Sequence, residues 1–299
     1  MQTIQPKLSM ICTLCGMFVL GVTDNLVPLI SQISSLWLFQ LARSAAVVPM
    51  LIVLTLLGLG TLRANRPRWV LARNFFTGSA LLIYFGCLAI LPIGVVVAGM
   101  FTAPIFVLLL SVLFRGEKVG IWRWASVAVG FVGAVMVVWP EDGALTALSF
   151  VPIIAGVFYA IGAVGTRDWC EGESVLVMTL AYFAILGIYG AIGMIALTLW
   201  PLDLPQDGVG WLYLGWVPMT PTVVWVTVAQ AVGSLIGVGL LTRGYQLGEA
   251  SYVAINEYSL IVFSASFAWL IWDQTVGVVA LFGMALIILS GSIIAVRSK

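Results

Sequence analysis

The sequence predicts an all-α membrane protein that crosses the bilayer with ten transmembrane helices. Hydrophobic residues make up 62% of the 299 residues and charged residues only 8%, whereas soluble proteins carry roughly 25% charged residues. Apolar stretches of about 20 residues recur along the whole chain, and each is long enough to cross the hydrocarbon core as a helix. Alternating segments of about ten residues, which are typical of transmembrane β-barrels, are absent.

Ten spans follow one another along the chain. The first begins after Lys7 and continues to Ile30 without the small-residue cleavage site of a signal peptide, so we interpret it as a retained span. Pro218 and Pro221 interrupt the eighth, which is therefore expected to begin near Thr222. The predicted spans are 8–30, 36–60, 69–91, 93–114 and 121–139 in the first half and 149–167, 174–200, 211–242, 250–271 and 275–296 in the second.

Lysine and arginine indicate the direction of crossing, since basic residues accumulate on the cytoplasmic side of inner-membrane proteins. With the N-terminus in the cytoplasm, all but one of the 13 basic residues fall in inside segments, and the exception, Arg43, lies within span 2. The inside set comprises Lys7, Arg63, Arg66, Arg68, Arg73, Arg115, Lys118, Arg123, Arg167, Arg243, Arg297 and Lys299. We therefore expect a multi-pass protein of the bacterial inner membrane with both termini in the cytoplasm.

An internal repeat divides the chain into two predicted units, residues 1–140 and 147–297, each with five helices. The runs 91–119 and 247–275 both contain an apolar helix that ends in a short acidic turn, followed at once by another apolar span. Because five crossings are an odd number, the second unit must be inverted in the membrane. Inverted repeats around a site near the bilayer midplane are a recurrent transporter design.

The turn between spans 4 and 5 resembles that of a known family. Its residues are Ala103-Pro104, Arg115-Gly116-Glu117-Lys118-Val119-Gly120, Arg123-Trp124 and Gly130-Phe131-Val132-Gly133. With Arg43 in span 2, the chain resembles the EamA-type family of the drug/metabolite transporter superfamily over nearly its whole length. In the second half, Asp273 replaces the glutamate of the turn, and Leu260 aligns where the family has a proline. Span 1 also lacks the family's usual tryptophan-glycine pair.

The resemblance implies a secondary transporter of small organic metabolites. Glu257-Tyr258-Ser259 is similar to the branch that includes riboflavin and S-adenosylmethionine carriers. The expected substrate is a planar heteroaromatic metabolite or vitamin such as riboflavin, or S-adenosylmethionine, which would be taken up. Exporters of aromatic or other amino acids in the same superfamily are the alternative.

Asp24 and Arg43 are charged residues deep inside predicted spans, where an unpaired charge is costly. Asp24 lies six residues before the outer end of span 1, and Arg43 lies seven residues after the outer start of span 2. At about 1.5 Å per residue, both are roughly 10 Å below the outer surface. Two interpretations stay open: an ion pair or joint lining of a polar cavity, or a structural pair that holds two helices together.

Glu257 is the third such charge, and Asn256 and Tyr258 flank it about two turns into span 9. No basic residue lies nearby in the sequence. The carboxylate could therefore take up a coupling proton, or recognise a cationic or amide-bearing solute. Alternatively, it caps a water-filled vestibule or pairs with Arg243 near the cytoplasmic face.

Other residues complete the predicted sets. The substrate or coupling candidates also include Gln40, Tyr84, Trp225 and Gln230. Each could bond a solute or merely a neighbouring helix, since interhelical hydrogen bonds contribute only about 0.6–2 kcal/mol. Helix packing and bending are assigned to Pro92, Pro104, Gly130, Gly133, Gly233 and Gly237. Small residues let backbones approach closely, and a proline frees a carbonyl that protein or cavity water must satisfy.

Several activities lack the residues that they require. The sequence contains no histidine and no G-x-x-x-x-G-K-[ST] motif, so we predict no catalytic residue, no metal, no cofactor and no direct use of ATP. We interpret the single C-x-x-C of Cys12 and Cys15 as packing. A net charge of +1 predicts no nucleic-acid partner. The expected partners are a small organic solute, the lipid bilayer and a coupling proton, in a monomer or homodimer; a channel or an integral membrane enzyme is the remote alternative.

Overall fold

The computed structural model describes residues 5–87, 91, 93–116, 119–138, 147–203, 210–273 and 277–297. Within these ranges the chain forms helices and no strand, which confirms the predicted all-α class. The first half contains α1 (Pro6–Asp24) and α2 (Val27–Ser31) in span 1, α3 (Leu36–Leu56), α4 (Pro67–Cys87), α5 (Ile93–Met100) and α6 (Ala103–Arg115) in span 4, and α7 (Ile121–Val138). The second contains a 3-10 turn (Ala147–Phe150), α8 (Val151–Asp168), α9 (Val175–Leu199), α10 (Pro221–Leu247), α11 (Ala250–Glu257) and α12 (Ser259–Trp272) in span 9, and α13 (Val278–Arg297).

The described helices agree with a multi-pass membrane protein. Nine helical stretches in the described ranges are long and apolar enough to cross a membrane, with mean hydropathies between 1.3 and 2.5. A tenth apolar stretch, Val278–Ile293, is shorter. The nine long stretches together with the shorter tenth agree with the ten predicted spans.

Span 8 begins later than residue 211, as its prolines predict. The helix α10 begins at Pro221, where a proline is favourable because the first helical N–H needs no partner. The side chain of Thr220 caps the helix by accepting a hydrogen bond from the Val223 backbone N–H at 3.4 Å. The residues from 211 to 220 precede this helix, and Trp211 packs on Phe39 with ring centroids 5.7 Å apart.

Span 1 contains a break that the sequence prediction missed. Helix α1 ends at Asp24 and α2 begins at Val27. Pro28 explains the interruption, because its ring clashes with the carbonyl four residues earlier and it cannot donate a backbone hydrogen bond. The side chain of Asn25 fills the gap, since its Nδ2 donates to the carbonyls of Gly21 at 2.7 Å and Ser264 at 3.1 Å.

Spans 4 and 9 are broken at corresponding places. Span 4 is interrupted at Phe101 and Thr102, and Pro104 is the second residue of the helix that follows, whereas span 9 is interrupted at Tyr258 without any proline. The two breaks touch each other: the Tyr258 hydroxyl donates to the Phe101 carbonyl at 3.3 Å, and the two rings stack with centroids 5.9 Å apart. Pro92, the other proline assigned to span 4, lies outside the described residues.

The ends of α6 and α12 correct the alignment of the two halves. Gly116 ends α6 in the left-handed conformation with φ 61°, and Asp273 ends α12 in the same conformation with φ 49°. Asp273 therefore takes the place of the helix-ending glycine and not that of the turn glutamate. In the register set by these ends, Ile261 and not Leu260 aligns with Pro104. The sequence alignment was wrong by one residue because the acidic side chain was matched by charge.

The spans pack mainly across the two halves. Span 1 packs on span 8, span 3 on span 6, span 2 on span 7 and span 5 on span 10, and weaker contacts join span 1 to span 9 and span 4 to span 6. These pairs are symmetric between the two halves. When five is added to or subtracted from each span number, every pair becomes a pair of the same set; spans 1 and 8, for example, become spans 6 and 3. In the described ranges, the first and second halves of the chain therefore pack together in a single bundle.

Small residues lie where helices approach most closely. A Cβ placed on Gly233 of span 8 would be 1.9 Å from Thr23 of span 1, and one on Gly237 would be 2.5 Å from Leu20. In spans 5 and 10, Gly133 lies against the backbone of Gly283. A fourth glycine of the predicted packing set, Gly130, lies against the Tyr258 ring, where an added Cβ would be 2.6 Å from Cδ2.

Candidate functional site

A first group of polar side chains, the Arg43 cluster, lies between spans 1, 2 and 8. It consists of Asp24, Gln40, Arg43, Gln230 and Ser234. Gln40 and Gln230 are fully buried, and Arg43 is 4% exposed. The helices that supply these residues are otherwise apolar, so the cluster is a group of polar side chains surrounded by hydrophobic residues.

Arg43 is held by two glutamines and two aromatic rings. Its Nη2 donates to Gln40 Oε1 at 2.5 Å and its Nη1 to Gln230 Oε1 at 3.4 Å. The guanidinium lies 4.9 Å from the Phe39 ring centroid and 5.6 Å from that of Phe183. Ring faces attract cations more strongly where water is excluded, so these contacts offset part of the cost of burying the charge.

Asp24 and Arg43 are brought together, but through a third residue. Gln230 Nε2 donates to Asp24 Oδ1 at 3.4 Å, while Gln230 Oε1 accepts from Arg43 and from Ser234. Among the described residues, no direct ion pair joins Asp24 to Arg43. A direct ion pair, one form of the first interpretation, is therefore not observed there, whereas joint lining of a polar cavity and a structural link between two helices both stay predictions.

A second group, the Glu257 cluster, joins spans 3, 6, 8 and 9. The Tyr245 hydroxyl donates to Glu257 Oε1. The Tyr159 hydroxyl also faces this carboxylate, and the charge of Arg73 is close enough to act on it. Glu257 therefore lies among two phenols and a guanidinium, which are groups that stabilise a carboxylate.

Arg73 is the functional candidate that sequence reasoning missed. It was counted among the cytoplasmic basic residues, but α4 begins at Pro67, so that Arg73 lies nearly two turns inside the helix and is only 6% exposed. Its Nε donates to Thr166 Oγ1 at 2.8 Å and its Nη1 to Asn74 Oδ1 at 2.6 Å. The helix-starting Pro67 was the signal that could have found it.

The predicted alternative partner of Glu257 was wrong. Arg243 lies on the exposed side of α10 and donates to Gln246 Oε1 at 3.3 Å. The basic side chain whose charge acts on Glu257 is Arg73 instead. The error arose because Arg243 is nearer in sequence, whereas Arg73 reaches the site through the packing of spans 3 and 6.

Tyr182 lies between the two clusters. Its side chain is close enough to interact electrostatically with Asp24, Arg43 and Arg73, and it is 7% exposed. Tyr182 comes from span 7, which packs directly on span 2. Tyr182 is therefore within electrostatic reach of both clusters.

Three predicted site residues form none of the hydrogen bonds of the two clusters in the described part of the chain. Trp225 is 73% exposed on the outer surface of α10, so stacking on a substrate in the bundle is excluded for this conformation and lipid contact is the better interpretation. Asn256 donates to the Tyr252 carbonyl of its own helix at 3.1 Å. Tyr258 is fully buried between the breaks of spans 4 and 9. Tyr84, by contrast, lies near enough to Asp24 to feel its charge.

The chain is similar to proteins that are named transporters. It is 25% identical over 245 residues to a riboflavin transporter of Rhizobium johnstonii, covering 81% of this chain and 74% of the relative. It is 29% identical over 243 residues to an S-adenosylmethionine uptake transporter of Rickettsia bellii, covering 77% of this chain and 73% of the relative. A pseudopaline exporter of Pseudomonas aeruginosa is 27% identical over 222 residues, with 74% and 72% covered.

Comparison with solved structures supports the fold. A crystal structure that is 14% identical in sequence matches with a TM-score of 0.77 over 99% of both chains. No protein-family model matches the chain. The three relatives above are nevertheless all named as transporters or exporters, of riboflavin, S-adenosylmethionine and pseudopaline. The chain is therefore a relative of bacterial transporters, as its resemblance to the drug/metabolite transporter superfamily predicts.

Proposed function

We propose that this protein is a secondary transporter that moves a small organic metabolite across the bacterial inner membrane, with both termini in the cytoplasm. The observation that supports it most directly is the set of buried and half-buried polar side chains, from Asp24 to Glu257, in a bundle of apolar helices. Charged groups are rare in the hydrocarbon region and usually line a substrate or proton pathway. The names of the relatives point in the same direction.

The proposed substrate is a planar heteroaromatic metabolite such as riboflavin, or S-adenosylmethionine. Relatives named for each of these compounds support the choice. The aromatic side chains beside Arg43, Phe39 and Phe183, offer apolar faces next to a charge. Such a combination suits a solute with both a ring system and a polar group.

The proposal is tested by counterflow in proteoliposomes. Purified protein is reconstituted, the vesicles are loaded with unlabelled riboflavin, S-adenosylmethionine or an aromatic amino acid, and entry of the labelled compound is measured. A transporter accumulates the label transiently above its external concentration, because exchange depends on alternating access. Saturable counterflow of one compound is expected. A linear flux that does not saturate would indicate a channel instead.

Export is the second candidate for direction. The relative named as a pseudopaline exporter is 27% identical to this chain, close to the 29% of the relative named for S-adenosylmethionine uptake. Inside-out and right-side-out vesicles distinguish the two directions under an imposed proton gradient.

A further inference from the structure

Arg43 has more hydrogen-bond donors than it has protein partners. A guanidinium carries five N–H groups. Among the described residues, Nη1 and Nη2 each have one oxygen partner, and Nε has none. Arg43 is only 4% exposed, and a buried donor without a partner is costly.

Two neighbours of Arg43 also have polar atoms without a hydrogen-bond partner in the described residues. Gln40 Nε2 and Ser44 Oγ are buried and lack a hydrogen-bond partner within the described part of the chain. Gln40, Arg43 and Ser44 are spaced i, i+3 and i+4 along α3, so they share one face of the helix. Because Gln40 Oε1 accepts from Arg43, the free Nε2 on the same amide lies beside the guanidinium.

Within the described ranges, the positive charge of Arg43 also has no directly bonded carboxylate. Asp24 is connected to it only through Gln230, and the rings of Phe39 and Phe183 flank the guanidinium. Buried charges in proteins are normally paired. A carboxylate fits the planar fork of an arginine, with two oxygens accepting from parallel donors.

We propose that Gln40, Arg43 and Ser44 form a binding site for the carboxylate of the transported solute. This inference rests on the proposed transport function and narrows its substrate class. It favours S-adenosylmethionine or another amino-acid-like metabolite over riboflavin, which has no carboxylate. Phe39 and Phe183 then lie beside the carbon skeleton that carries the carboxylate.

The test is ligand binding by the purified protein, measured as a shift of its thermal unfolding. The probes are two matched pairs that differ by one carboxylate: S-adenosylmethionine with its decarboxylated form, and L-phenylalanine with phenethylamine. Riboflavin is the fifth probe. We expect at least one carboxylate-bearing compound to raise the unfolding temperature, with an apparent affinity at least tenfold higher than that of its amine partner.

Variants assign the effect to the site. Arg43→Gln is expected to weaken the carboxylate-dependent shift at least tenfold, and Gln40→Leu serves as the second variant if Arg43→Gln does not fold. Arg243→Gln makes the same chemical change on an exposed position of α10 and should leave the shift unchanged. An undiminished shift in folded Arg43→Gln or Gln40→Leu overturns the proposal.

The transport assay separates the two proposals. If only riboflavin stabilises the protein and shows counterflow, the carboxylate site is wrong and the transport function stands. If a carboxylate compound binds through Arg43 but no compound shows counterflow, Arg43 is a carboxylate-binding residue, and both the transport function and the role of the site in transport are wrong. The absence of any carboxylate-dependent shift overturns the site whatever the counterflow shows.

Discussion

At the scale of the residue, the Glu257 cluster holds a buried arginine and a half-buried glutamate, which form no close ion pair within the described residues. Arg73 donates to Thr166 and Asn74, and Glu257 accepts from Tyr245. The two opposite charges interact across this small group. Removing one partner of a buried polar network leaves the other uncompensated, so these residues should act as a unit.

Glu257→Gln is predicted to keep the exchange of solute across the membrane but to lose solute accumulation driven by a pH gradient. If Glu257 carries the coupling proton, glutamine imitates its protonated form and cannot release a proton. Counterflow should then persist within about threefold of the wild type, a difference well under 1.4 kcal/mol, while accumulation driven by an imposed pH gradient should be lost. Asp203→Asn, an exposed acid between spans 7 and 8, is the matched control. Normal gradient-driven accumulation by Glu257→Gln would contradict the role.

At the scale of the element, small residues determine how the helices fit. Lipid surrounds the bundle, so burial of apolar surface does not join helices as it does in water, and close packing is the main source of association. Gly233 and Gly237 of span 8 let span 1 approach through Thr23 and Leu20. This contact also positions Asp24 and Gln230, which lie next to it on the same two spans.

Gly233→Ala is predicted to destabilise the protein, since the added Cβ would be 1.9 Å from Thr23 Cγ2. Overpacking of this kind costs about 1–3 kcal/mol. Gly86→Ala is the matched control, because a Cβ there meets nothing within 4 Å. Unfolding in detergent followed by circular dichroism measures the difference. Equal free energies of unfolding for the two variants would show that span 1 can move away from span 8 without loss of stability.

The breaks in spans 4 and 9 are a second element-scale feature. A broken helix exposes backbone groups that need partners in the membrane. The Tyr258 hydroxyl supplies one by donating to the Phe101 carbonyl of the other break. The contact thus joins one helix from each half at the point where both are interrupted.

At the scale of the whole molecule, the two halves are related by a repeated pattern of contacts. Ser35 caps span 2 and donates to the Gly215 carbonyl at 2.6 Å, and Ser174 caps span 7 and accepts from the Thr61 backbone N–H at 3.2 Å. Each serine side chain therefore connects the start of its span to a loop through a hydrogen bond. Eight residues after each serine come Arg43 and Tyr182, which interact with each other.

The proposed inversion of the two halves predicts the location of reporters. Green fluorescent protein fused after Lys299 should fluoresce, since it folds in the cytoplasm, and alkaline phosphatase inserted after Leu202 should be active, since it folds in the periplasm. Exposed Leu202 follows span 7 on the proposed outer side. An active phosphatase fused after Lys299 would mean an odd number of crossings, and the inverted arrangement would then be wrong.

The sequence predicted the positions of Arg43, Gln40, Gln230, Asp24 and Glu257 within the spans, but not their partners. Charged and amide groups are conspicuous in apolar segments, so composition alone finds them. Tyr182, Tyr245 and Tyr159 are not conspicuous among 35 aromatic residues. Trp225 was selected by its depth in the span, whereas its exposure depends on which way the helix is rotated.

The sequence by itself determined the helical class and the places where the chain can cross a membrane, because each crossing segment must satisfy its own backbone and be apolar over its own length. Only the tertiary structure decided that Gln230 joins Asp24 to Arg43 and that Arg73 acts on Glu257. Which residues become neighbours in this way depends on how each helix is rotated about its own axis and on the angles at which the helices cross. The helices are apolar on nearly every side. Hydropathy contains little information on rotation, since contacts between small residues far apart in the sequence set it.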